Sequence, residues 1–93
     1  MKSVVQKNKG RCFRCQKALP LEEHHIFYGN PGRKLSEKYG LKVHLCHECH
    51  NAPPSGVHFN SHEDLVLKRL GQEKFIEVFP DKDFMSIFGR NYI

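Results

Sequence analysis

"KVHLCHECH", residues 42–50, joins an alternating apolar segment to a Cys-x-x-Cys pair. Val43 and Leu45 alternate with polar residues, which is the period of a half-buried β-strand. The turn between Cys46 and Cys49 directs two thiolates toward one point. This stretch therefore predicts a strand that ends in a metal-binding knuckle.

A second Cys-x-x-Cys pair lies nearer the amino terminus, separated from the first by thirty residues. The two pairs together supply four thiolates, those of Cys12, Cys15, Cys46 and Cys49. Four thiolates complete a tetrahedral zinc shell and leave no open position for a substrate. We therefore predict a structural zinc, with four free or redox-active thiols as the alternative. The spacing of both pairs favours zinc.

The composition is typical of one small domain with a modest core. The chain has 93 residues, 39% of them hydrophobic and none of them Trp, so a bound metal would add stability. No apolar run is long enough for a signal peptide or a membrane helix. We expect a cytoplasmic protein with reduced thiols, no membrane partner and no small-molecule cofactor.

Turn signals and periodicity divide the amino-terminal half of the chain. Residues 1–11 are polar and basic, Lys9 among them, and are predicted to form a flexible arm before a single domain at 12–93. Residues 21–29, LEEHHIFYG, have the composition of a strand that ends at a turn. Residues 33–40, RKLSEKYG, are predicted to form a loop or a single helical turn.

A longer helix is predicted in the carboxy-terminal half. Ser61 is a candidate cap, and apolar residues continue from there to Pro80. Because these residues do not form one narrow stripe, we expect the helix to be covered on more than one side. We interpret the apolar residues of the tail as that cover rather than as a nucleotide platform; they are Phe84, Ile87, Phe88 and Tyr92.

Histidines stand close to both knuckles. His24 and His25 are adjacent, and neighbouring side chains on a strand point to opposite faces, so the pair cannot easily chelate one ion together. Two different roles are therefore predicted for them. His50 directly follows the second knuckle and His58 comes after the loop with two prolines. A zinc that joins the knuckles would hold His50 near His24.

This arrangement resembles a known family. A Cys-x-x-Cys pair, then "HHI" on a strand, then "LCHECHN" opening a helix, is similar to the HNH endonucleases of the ββα-metal class, particularly small members often encoded by phages. The resemblance covers residues 12 to about 58. It implies an α+β fold in which zinc knuckles hold a β-hairpin against a helix, with a carboxy-terminal helix and aromatic tail closing the core.

The resemblance also implies an activity. It makes His24 and His50 ligands of a catalytic divalent metal, His58 a further candidate ligand, and His25 the general base. The reaction would be hydrolysis of DNA phosphodiesters that leaves a 5′-phosphate and a 3′-hydroxyl, in the bacterial host cytoplasm for a phage protein. An imidazole-rich site suits manganese, nickel or zinc better than magnesium, which prefers oxygen ligands.

The sequence departs from the family pattern at one position. Many members carry an Asn shortly before the second knuckle, and "YGLKVHL" has none. The sequence therefore does not identify the residue that holds the segment of His25 in place. Glu22 and Glu23 are candidate acceptors for a histidine, although we interpret both as solvated charges at the strand end. Basic residues near the site are candidate phosphate contacts, with a solvated loop as the alternative: Arg33, Lys34, Lys38 and Lys42.

The rival interpretation is a zinc-stabilised DNA- or RNA-binding module without catalysis. Its finger-like ligand set would be Cys46, Cys49, His58 and His62, but only eight residues separate Cys49 from His58, and two of them are prolines. A second zinc would then need Cys12, Cys15, His24 and His25, which is sterically awkward. The remaining histidines, His44, His47 and His62, are predicted to be ordinary surface residues.

Overall fold

The computed structural model describes residues 1–7 and 10–93, and its fold is α+β. The strands are β1 (Leu21–His25) and β2 (Lys42–Cys46), which pair antiparallel in one two-stranded sheet. The helices of the described residues are α1 (Gly32–Tyr39), α2 (His47–His50), α3 (Ser61–Val78) and α4 (Phe84–Phe88), with a 3-10 turn at Val57–Phe59.

The register of the sheet separates the two adjacent histidines. His24 pairs with Val43, and His25 pairs with Lys42. Because side chains alternate along a strand, His24 shares the core-facing side with buried Val43, whereas His25 shares the opposite side with Lys42. β2 continues directly into α2, as the sequence predicted for the strand and its knuckle.

The aromatic part of the core lies between α3 and the carboxy-terminal tail. Phe75 of α3 is fully buried, and its ring contacts Tyr39 and Phe84 at centroid distances of 5.1 and 5.4 Å. Phe27 contacts Phe88 at 4.8 Å. The tail therefore packs against the helix, which confirms its interpretation as cover. Among the described residues, no helix has the length and apolar character to span a membrane.

Residues 32–39 form an eight-residue helix, where the sequence predicted a loop or a single turn. The hydroxyl of buried Ser36 donates to the Phe27 carbonyl oxygen at 2.7 Å and accepts from the Phe27 N–H at 3.0 Å. Gly40 ends α1 with φ +70, a left-handed conformation that glycine adopts without strain. These tertiary bonds hold α1 against the end of β1.

The cap of α3 also differs from the prediction by one residue. Asn60, not Ser61, precedes the helix, and its side chain accepts from the Glu63 N–H at 3.1 Å. Asn is as good a cap as Ser, so local sequence alone does not separate the two. The helix ends at Val78, before Pro80 as expected.

The amino-terminal segment lies against the sheet. The Val4 N–H donates to the Gly40 carbonyl at 2.9 Å, and the side chain of buried Gln6 accepts from the His44 N–H at 2.6 Å. Polar groups of residues 1–7 thus hydrogen-bond to backbone at Gly40 and in β2, in a segment for which the sequence predicted a flexible arm. Lys9, assigned to the same arm, lies outside the described residues.

Candidate metal centres

The four cysteines of the two knuckles form one cluster. Their sulfur atoms all lie within 4.8 Å of one another, and none is in a disulfide. Between the knuckles, the Cys15 and Cys46 Sγ atoms are 3.8 Å apart. A Zn–S bond of about 2.3 Å places two sulfurs of a tetrahedral shell about 3.8 Å apart. The cluster could therefore hold a metal ion such as zinc.

The protonation of these thiols depends strongly on position. Burial raises the pKa of the Cys12 thiol, but hydrogen bonds from the backbone of Cys15, Cys46 and Arg14 outweigh it and lower the pKa to about 6. Burial, followed by bonds to neighbouring thiols, raises the pKa of Cys49. Deprotonation of Cys12 is thus favoured. Once Cys12 is a thiolate, its negative charge opposes deprotonation of the neighbouring thiols. A divalent cation bound to all four thiolates would offset two of their four negative charges and so favour their deprotonation.

Three histidines from separate elements form a second cluster. His24 comes from β1, His50 from the end of α2 and His58 from the 3-10 turn, and their nearest ring nitrogens lie within 4.8 Å of one another. The ring centroids are 4.8 to 5.0 Å apart. The Nε2 atoms of His50 and His58 are separated by 3.0 Å. The structure thus brings together all three histidines proposed as catalytic metal ligands.

The donor atoms of this cluster fit a metal ion. His24 Nε2 is buried and has no hydrogen-bond partner among the described residues, and such an atom costs about 1–3 kcal/mol unless it is satisfied. His50 Nδ1 lies 2.8 Å from Glu22 Oε1. Because a carboxylate only accepts, Nδ1 carries the proton and Nε2 keeps a lone pair toward the cluster.

Glu22 therefore has a specific contact. Its second carboxylate oxygen lies 3.0 Å from His47 Nδ1, and the bonds to His50 and His47 lower the pKa of Glu22. Glu22 is thus the hydrogen-bond acceptor that the sequence offered as the alternative to a solvated charge, although its side chain is still 40% exposed. His47, expected on the surface, is exposed and shares this carboxylate with His50.

Burial keeps His24 in the neutral form that a metal needs. Burial, then the charges of His50 and His58, lower the pKa of His24 to about 3. Partial desolvation, followed by the charge of His50, also lowers the pKa of His58, which is the exposed member of the cluster. Neutral imidazoles at ordinary pH are ready to ligate without first losing a proton.

The lowered pKa of His24 predicts loss of stability in mild acid. Between pH 7.5 and pH 5 the unfolded chain takes up a proton on His24, with an ordinary pKa near 6.5, whereas the folded chain does not. Falling pH therefore favours the unfolded state, and we expect this residue to lower the free energy of unfolding by about 2 kcal/mol over that range. Urea unfolding of wild type and His24→Gln at pH 7.5 and pH 5, without added divalent ions, measures this change in the free energy of unfolding. The prediction would be contradicted if wild type and His24→Gln differed in their free energy of unfolding by the same amount at both pH values.

His25 belongs to a separate group on the opposite side of the strand. Its Nε2 lies 3.0 Å from Glu37 Oε1 of α1, and Glu23 Oε1 is 3.7 Å away. His25 nevertheless lines a cavity of about 190 Å³ that is also bordered by His50 and His58. The imidazole proposed as general base and two of the candidate metal ligands, His50 and His58, thus border the same space.

The candidate phosphate contacts divide into two groups. Arg33 lines the cavity beside His25, and Arg33 and Lys34 both line an adjoining cavity of about 520 Å³. Lys38 is exposed and its ammonium lies 5.4 Å from the Tyr39 ring centroid. Lys42 is buried and pairs with Glu37 at 2.8 Å. Among the candidate phosphate contacts, Lys42 is thus the one whose charge a carboxylate already engages.

The ligand sets of the rival interpretation are not formed in the described residues. Cys46 and Cys49 cluster with the other two cysteines, and His58 clusters with His24 and His50. The sequence reasoning missed Glu37, whose only signal was its place in a charged segment. Comparisons of the chain with protein-family models, with curated proteins and with solved structures found no match.

Proposed function

We propose that this protein is a metal-dependent endonuclease of the HNH type, with the ββα-metal fold, that hydrolyses DNA phosphodiester bonds. One observation carries the proposal. Two histidines of the three-histidine cluster, His50 and His58, line the same cavity as His25. The third, His24, has a buried nitrogen without a hydrogen-bond partner among the described residues, and it lies on the opposite face of the strand from His25. The resemblance of the motifs "HHI" and "LCHECHN" to that family supports the same function.

His24, His50 and His58 would hold the catalytic divalent metal, with manganese, nickel or zinc favoured over magnesium. When bound, such a cation offsets negative charge on the phosphoryl and leaving oxygens. Glu22 fixes the orientation of His50 through the bond to Nδ1. Burial of His24 keeps its ring neutral and in place.

His25 activates the attacking water. Its Nε2–H donates to Glu37, so the lone pair is on Nδ1, and that atom takes the proton as the water oxygen bonds to phosphorus. The bond from phosphorus to the 3′-oxygen breaks, and the products are a 5′-phosphate and, once protonated, a 3′-hydroxyl. Arg33 in the cavity wall is placed to contact the phosphate.

The exposed basic residues of α1 support nucleic acid as the substrate. Arg33, Lys34 and Lys38 are all exposed on this one helix, and the chain carries a net charge of +5. Contacts of this kind position a phosphate backbone without reading base sequence. A structural zinc bound by the cysteine cluster would hold the segment that carries His50 in place.

Cleavage of supercoiled plasmid tests the proposal. Protein containing one zinc per chain should convert the plasmid to relaxed circles when Mn²⁺ is added, and should not do so with a chelator. We expect His24→Asn to lose this activity, because it removes a metal ligand, and the matched variant His62→Asn to retain it. His62 is exposed at the start of α3 and lies outside the cluster.

Two results would contradict the proposal. Absence of cleavage with manganese, nickel, magnesium and zinc, together with retained binding in a gel-shift assay, would favour the non-catalytic DNA- or RNA-binding module. Cleavage by His24→Asn at the wild-type rate would show that the histidine cluster is not the site.

A further inference from the structure

The bond between His25 and Glu37 connects the strand to α1. Glu37 follows Ser36, whose buried hydroxyl holds α1 to the backbone of Phe27 just beyond the end of β1. The carboxylate thereby reaches His25 Nε2 at 3.0 Å. The contact spans twelve positions of the chain, so it exists only because α1 packs against the sheet.

Lys42 fixes the other side of the same carboxylate. Its ammonium lies 2.8 Å from Glu37 Oε2 and 3.5 Å from Glu23 Oε2, and the Lys42 side chain is only 11% exposed. In the sheet register Lys42 is directly opposite His25. One oxygen of Glu37 is therefore engaged by Lys42, and the other faces His25.

We propose that Glu37 is a positioning residue that holds His25 in the tautomer with the proton on Nε2, and that Lys42 holds Glu37 for that purpose. The inference rests on the proposed function. The Asn that precedes the second knuckle in many HNH proteins is absent here, and Glu37 would supply a brace for His25 in this chain. A carboxylate only accepts hydrogen bonds, so it selects one tautomer and leaves Nδ1 free.

The same three side chains could be interpreted as a second metal site, since ligand atoms of Glu23, His25 and Glu37 lie within 4.8 Å of one another. The Lys42 ammonium excludes this interpretation. It already contacts both carboxylates, and a divalent cation among them would be repelled at close range. Hydrogen bonds from Lys42, His25 and the amino terminus lower the pKa of Glu37 to about 2, so the carboxylate stays charged as an acceptor.

Steady-state cleavage kinetics of Glu37 variants test the role in catalysis. We expect Glu37→Ala to lower kcat by about 10-fold to 100-fold, with KM within about twofold of wild type, because the base is misoriented while binding is unchanged. Glu37→Gln should recover part of the rate, because its amide oxygen still accepts. The control is Glu77→Gln, an exposed residue of α3. Equal kcat in wild type and Glu37→Ala would overturn the proposal.

The nitrogen NMR spectrum of the imidazoles tests the contact without any cleavage. In protein labelled with ¹⁵N and kept at about pH 8.5, where an ordinary imidazole is neutral, His25 should carry its proton on Nε2 in wild type. In Glu37→Ala it should populate both tautomers. A wild-type proton on Nδ1, or an unchanged spectrum in the variant, would overturn the proposal. Absence of cleavage by wild type with the expected spectra would instead refute the nuclease function alone.

Discussion

Serine in place of Cys12 is expected to abolish cooperative folding. Cys12 is fully buried and belongs to the four-thiolate cluster that joins the two knuckles. A structural zinc contributes about 10–16 kcal/mol of apparent binding free energy, which equals or exceeds the typical total stability of a small domain, about 5–15 kcal/mol. With three thiolates the metal is bound far more weakly, and a core of this size cannot replace it.

Zinc content and thermal unfolding measure this effect. Native mass spectrometry of wild type should show one zinc per chain, and circular dichroism should show a sigmoidal transition that a strong chelator removes and added zinc restores. Cys12→Ser should lack both the zinc and the transition. If wild type contained no zinc and gave the same thermal unfolding curve as Cys12→Ser, the cysteines would be free thiols.

The features that the sequence predicted well are local ones. β2 and its knuckle were predicted because alternation and Cys-x-x-Cys spacing are properties of nine consecutive residues, 42–50. The opposite placement of His24 and His25 follows from strand geometry alone. The aromatic tail was predicted to pack against the long helix because that helix has apolar residues on more than one side and the tail is rich in apolar residues.

The features that it missed depend on tertiary contacts. α1 is held by the buried Ser36 hydroxyl, and nothing in "RKLSEKYG" reveals that this hydroxyl bonds Phe27. Ten acidic residues are present, and the sequence cannot say that Glu22 meets His50 or that Glu37 meets His25. The pairing of Lys42 with Glu37 was missed for the same reason, since Glu37 lies on a helix that was not predicted.

Alanine in place of His25 is expected to remove cleavage while leaving metal binding intact. A general base contributes about 10²-fold to 10⁴-fold to the rate, so kcat should fall within that range. The His24, His50 and His58 cluster lies on the other side of β1 and keeps all its nitrogens. Lys42 still holds Glu37 at 2.8 Å, so we expect the fold to survive. Plasmid cleavage with Mn²⁺, at equal zinc content, measures the rate.

The comparison with His24→Asn distinguishes the roles of the two neighbours. His24→Asn should lose both the second metal, measured by Mn²⁺ titration in calorimetry, and the cleavage, whereas His25→Ala should lose cleavage alone. Because the two residues are adjacent in sequence, general damage to β1 would affect both properties in both variants. Equal cleavage by His25→Ala and wild type would make another group the base, and loss of Mn²⁺ binding in His25→Ala would make His25 a ligand instead.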